Sequence, residues 1–217
     1  MHGLLRRVKT LRRCIVEVFR LIPPSRRKAV DSLRREKTEI YLQSFFLNIS
    51  GCLDNLAWMW VHELGLKKQN GKPLSRSEVG FRKTQTVLRA SVSPSFALYL
   101  DSLESWATAG ENYRDALAHR IPLYIPPFSV TIGNVDEHRR LESASRIAQF
   151  RAEHVLSADF DKQRGKLEFF QAMMMHSFSE GARPMLFHAQ MIADVKTIEQ
   201  LTIRLLADLR IQQEEQR

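Results

Sequence analysis

The chain predicts an all-α protein: a helical bundle of about five helices, two of them long, with one small extended or β element. Three observations carry this. Apolar residues recur three and four positions apart over long stretches, the period of one helix face. Proline, glycine and serine fall between those stretches, where they stop one helix and cap the next. Only 123–131 (LYIPPFSVT) has the β-branched and aromatic content of an extended segment, and Pro126-Pro127 keeps it out of a central strand.

The first helix places Leu4, Val8, Leu11, Ile15, Val18 and Ile22 on one stripe, with Arg6, Arg7, Lys9, Arg12, Arg13 and Arg20 covering the other side. Pro23-Pro24 stops it. Ser25 is expected to cap a second, long helix reaching about Gly65, with Val30, Leu33, Ile40, Phe45, Ile49, Leu53, Leu56 and Trp60 among its apolar positions. A polar linker with Gly71 and Pro73 follows, and Ser75 or Ser77 suits the cap of a short helical element. Ser93-Pro94 opens the next helix, which runs to His119 with a kink expected at Gly110. Residues 135–153 form a strongly charged helix. Residues 166–178 fit either a short strand or a helix. Residues 186–211 end the chain as a helix striped by Ile192, Val195, Ile198, Leu201, Leu205 and Leu209. The expected organisation is a basic amphipathic helix over 1–24 and a bundle domain over 25–217.

Charge is distributed unevenly over the 217 residues. Residues 1–40 hold 12 Lys/Arg against 4 Asp/Glu, whereas the rest holds 21 against 20. The basic arm therefore attracts polyanions, and Arg6, Arg7, Lys9, Arg12 and Arg13 are its candidate nucleic-acid contacts. RNA is the expected partner, with a membrane surface the less favoured one. Cys14 and Cys52 have no metal-ligand or framework spacing. Glu17 and Arg20 interrupt the apolar run of a leader, and polar residues inside 41–61 disfavour a membrane span. A reducing cytoplasm is the expected compartment.

The chemistry-bearing stretch is 113–122 (YRDALAHRIP), read as the last turns of a helix stopped by Pro122. Arg114 is a permanent cation that can clamp a phosphate with two hydrogen bonds. His119 can take or give a proton near neutral pH. Asp115 and His119 are four apart and share a helix face, so Asp115 is placed to orient the imidazole. Arg114 and His119 are five apart, roughly 140° around an ideal helix. They converge only if the last turn frays or a second subunit completes the cleft. Tyr113 and Arg120 flank the pair as supporting residues. Asp54, set in an apolar helix, needs a partner if buried, and Arg114 is expected to supply it.

The Arg114-Asp115-xxx-His119 pattern resembles the signature of the HEPN superfamily, a set of all-α domains. Leu53-Asp54-Asn55-Leu56-Ala57 is similar to an early bundle helix of such proteins. The resemblance covers roughly residues 30–120, with the C-terminal helix as a further candidate. It implies a metal-independent endoribonuclease working as a homodimer, with Arg114, Asp115 and His119 as catalytic residues. His119 would act as general base or acid, Arg114 would stabilise phosphorus-oxygen charge, and products would carry a 2′,3′-cyclic phosphate. Many family members are toxins paired with an antitoxin, or phage-defence components. Others have lost catalysis and only bind RNA or partners.

No cofactor is expected. Phosphate-loop patterns are absent, and no serine-hydrolase elbow surrounds Ser177, Ser179 and Gly181. His176, His188 and Asp194 meet no metal-ligand spacing and read as structural. Met173-Met174-Met175 reads as core filler.

Overall fold

The computed structural model describes residues 2–119, 121–177 and 184–215. It is 70% helical, but with eight α-helices among the described residues rather than five. In order they are α1 (His2–Leu21), α2 (Ser32–Glu63), α3 (Thr86–Ala90), α4 (Pro94–Ser102), α5 (Glu104–His119), α6 (Val135–Phe150), α7 (His154–Gly165) and α8 (Phe187–Glu215). Among the described residues, four two-residue strands make two antiparallel pairs. Strand β1 (Ser129–Val130) pairs with β2 (Glu168–Phe169), and β3 (Met173–Met174) with β4 (Met185–Leu186). A single bridge also joins Tyr124 to Met175. Within segment 166–178, Lys166 and Leu167 close the end of α7 in a turn, the strands β2 and β3 follow, and Phe178 lies outside the described residues; the segment meets 123–131 through β1 and β2.

The helix boundaries differ from the expected ones for local reasons. Asp31, not Ser25, caps α2, because its carboxylate accepts the Arg34 N–H at 2.9 Å. Gly65 ends α2 at φ +59°. The Leu66 N–H returns to the Val61 carbonyl and the Gly65 N–H to that of His62, a paired closure that glycine favours. The expected break at Gly110 falls at Leu103 instead, so α5 passes through Gly110 without interruption. Ser75 and Ser93 cap the elements expected of them. Ser75 shares a capping box with Glu78, and Ser93 accepts the Phe96 N–H at 3.2 Å ahead of Pro94.

The long helices α2 and α8 form the spine. One half of the core joins α1, α2, Tyr113 of α5, the extended segments and α8, with Leu42, Phe45, Cys52, Phe187 and Met191 fully buried. The other half joins the C-terminal halves of α2 and α8 to α3 and α4 around Trp60, Leu88 and Leu205. Residues 1–24 share the first half, since Leu11, Cys14, Val18 and Ile22 are all 2% exposed or less. The pair α6–α7 packs on itself, through the buried Ser145–Ser157 bond, and joins the body beside β2 where His138 Nε2 meets Glu168 at 2.8 Å.

Candidate functional site

Helix α5 positions the motif. Its inner side is fixed by two aromatic anchors. Tyr113 is buried and stacks on Phe46 at 5.3 Å, with the His176 ring edge-on at 5.1 Å. Trp106 donates its indole N–H to Asp194 of α8 at 2.8 Å. Tyr113 therefore holds the helix in place rather than facing the motif's surface, and burial pushes its phenol pKa up.

The outer side carries Arg114, Asp115 and His119. Arg114 Nη1 donates to Asp115 Oδ1 at 2.7 Å, with both side chains nearly half exposed. Two expectations are corrected here. Asp115 spends its carboxylate on Arg114 and does not orient His119. Asp54 is exposed and makes no ion pair with Arg114, so it needs no buried partner. Asp54 instead lines, with Arg114, one open cleft where solvent reaches both. His119 is exposed at the helix end, and α5 stays helical to that residue. The last turn does not fray before His119, so within one chain Arg114 and His119 point roughly 140° apart. Arg120 lies outside the described residues.

Arg114 also borders a cleft of about 590 Å³ that the sequence did not signal. Its volume falls in the range of small-ligand sites. Leu53, Phe81, Leu100 and Trp106 give it apolar walls. Its cations are mostly spent on the walls themselves. Arg82 pairs with Glu111, Lys83 with Glu104 at 2.7 Å, and Arg89 with Asp101. His119 does not line it.

The basic arm divides in two. Arg7, expected on the outer side, turns inward: its guanidinium lies over Gly51 of α2 and donates to Asn48 at 3.3 Å. A Cβ at Gly51 would fall 2.1 Å from Arg7 Cζ, so the missing side chain makes this approach possible. Arg13 and Arg20 both hold Glu17, at 2.7 and 2.6 Å. The Arg20 bond keeps this 4%-exposed carboxyl ionised below its usual range. Arg6, Lys9 and Arg12 remain exposed, with no ion pair among the described residues. Helix α1 meets α2 along Ser44, Asn48, Gly51 and Asn55, whereas α5 meets it around Phe46 and Ser50. Those two lines lie on roughly opposite sides of α2 by the 3.6-residue period. The arm's cations and the Arg114–His119 motif are therefore not brought together.

His188 donates Nε2–H to the Ile22 carbonyl at 2.7 Å, and its ring packs against Phe19 and Phe187. Asp194 is taken up by Trp106 and Gln190. No group of three His, Cys, Asp or Glu side chains among the described residues could hold a metal. No family model, curated protein or solved structure matches the chain.

Proposed function

We propose that the chain is a HEPN-like, metal-independent endoribonuclease whose working site is completed by a second copy. The observation that supports this reading is His119 itself. It stands exposed at the last residue of α5, about one and a half turns from an exposed Arg114, and its imidazole makes no hydrogen bond among the described residues. An imidazole so placed is free to take the proton of a ribose 2′-OH. The resulting alkoxide attacks the adjacent phosphorus, and the 5′-oxygen leaves with a proton from a general acid. A 2′,3′-cyclic phosphate remains. Arg114 would stabilise the charge growing on the phosphoryl oxygens. A two-fold axis near the end of α5 brings Arg114 of one copy beside His119 of the other, which the divergence within one chain requires.

The test is cleavage of mixed cellular RNA by purified protein in EDTA, beside His119→Ala and Arg114→Ala variants. Loss of cleavage by about 10²–10⁴-fold in the His119→Ala variant, with an unchanged unfolding midpoint, is expected. Cleavage that survives this substitution overturns the reading. One observation favours a second reading, a catalytically inactive RNA-binding or protein-interaction module. Arg114 is already held by Asp115 and turned away from His119. A folded, uninhibited wild-type protein that binds RNA without cutting it would select that alternative.

A further inference from the structure

Helix α1 is pinned to the body along one side and bare along the other. Leu11, Cys14 and Val18 are buried against α2 and α8, so the helix cannot roll. On the opposite side Leu5, Lys9, Arg12 and Val16 follow one another at intervals of four, three and four, a single line along the helix. Leu5 is 52% and Val16 50% exposed, and Val8 beside them is 46% exposed. Lys9 and Arg12 between them are exposed and carry no ion pair among the described residues, and Arg6 is the same.

We infer that this outward face of α1 is a docking surface for an anionic lipid membrane, with the helix lying in the headgroup plane. The occupant follows from the chemistry of the line. Aliphatic side chains interleaved with cations suit an interface where chains enter the acyl boundary and ammonium or guanidinium groups meet phosphate. Recognition of single-stranded RNA rests instead on aromatic platforms and amide groups, and the line contains neither. The charge is complementary, since Arg6, Lys9 and Arg12 stand exposed on this helix with no carboxylate paired to them among the described residues. The 20-residue helix offers a straight edge of about 30 Å. No helix among the described residues is long and apolar enough to cross a membrane, so contact by this face is peripheral. It also lies on the far side of α2 from Arg114 and His119. The surface thus stands independently of the RNA reading and leaves that motif open.

The experiment is flotation of the full chain with phosphatidylcholine vesicles containing about one-third phosphatidylserine, beside pure phosphatidylcholine vesicles. Wild type floats only with the anionic vesicles. Lys9→Gln with Arg12→Gln lowers partitioning about 30-fold. Leu5→Gln with Val16→Gln lowers it about 5-fold or more, which a purely ionic contact would not show. All four side chains are exposed, so circular dichroism and unfolding midpoints stay at wild-type values. Failure of folded wild type to float overturns the proposal. So does vesicle binding that the aliphatic pair leaves untouched. If an RNA oligomer binds this face and vesicles do not, the face belongs to nucleic acid instead.

Discussion

Helices α1 and α5 flank α2 on opposite sides, and both are arginine-bearing helices anchored by their inner faces. They differ in what their arginines hold. On α1, Arg7 reaches inward over Gly51, while Arg13 and Arg20 converge on the buried Glu17. On α5, Arg114 pairs with its half-exposed neighbour Asp115. An arginine whose partner is buried is part of the frame, because moving it strands a carboxylate in a poorly solvated place. An arginine paired at the surface gives up little when a phosphate replaces its partner. The lesson is that charge counts do not sort structural cations from available ones; the partner's burial does.

That contrast is open to direct attack. The largest effect is expected at the inner face of α1. Leu11→Ala removes a 2%-exposed side chain and is expected to cost about 3 kcal/mol. Urea denaturation measures it, and an unchanged midpoint would mean that α1 is an appendage after all. A smaller effect is expected where α5 docks on α8. Burial raises the Asp194 carboxyl above its ordinary value of 3.8, against the bonds from Trp106 and Gln190 that lower it. The folded state therefore binds this proton more tightly than the unfolded one, and stability falls as pH rises through the raised value. Asp194→Asn keeps an acceptor for Trp106 and never ionises. It is expected to raise the thermal midpoint at neutral pH and to lose that advantage below the ordinary aspartate range. A gain that persists in acid would assign the effect to packing rather than to charge. The smallest effect is expected at the outer face of α5, where Asp115→Ala should change stability by less than about 0.5 kcal/mol. A larger loss would show that the Arg114–Asp115 pair belongs to the frame.

The helical class and several caps were legible because their signals are local. Ser93-Pro94 and the Ser75–Glu78 box act within four residues and appear in the structure where the chain writes them. Ser25 and Asp31 are both residue types that cap helices; the structure uses Asp31, next to the buried Val30, and residue type alone does not distinguish the two. Helix α7 was missed since 154–165 buries only Ser157 and shows no apolar period. Of the candidate site, the place of Arg114 and His119 on the last turns of one helix followed from the sequence pattern, and their exposure did not. Nor did the inward turn of Arg7. The apolar period puts Val8 on the helix's apolar stripe, yet it is 46% exposed. Arg7 takes the inward place because Gly51, forty-four positions away, makes room for it. The cleft beside Arg114 joins loop and helix residues from 49 to 201, a separation that no local pattern can encode.

The division of the core between α1–α2 and α8 has a consequence for synthesis. The first two helices meet through contacts close in sequence and can zip together early. Phe45 and Leu42 on their common face share their core cluster with Phe187 and Met191 of α8. Between the last residue of α2 and the first of α8 lie more than a hundred residues, which a ribosome needs roughly 6 to 25 s to add. For that interval the nascent hairpin presents an aromatic and aliphatic face to the cell. The step that ends its exposure to aggregation and proteolysis is the arrival of the C-terminal helix, so truncations that spare every motif residue but remove α8 leave a chain that cannot close.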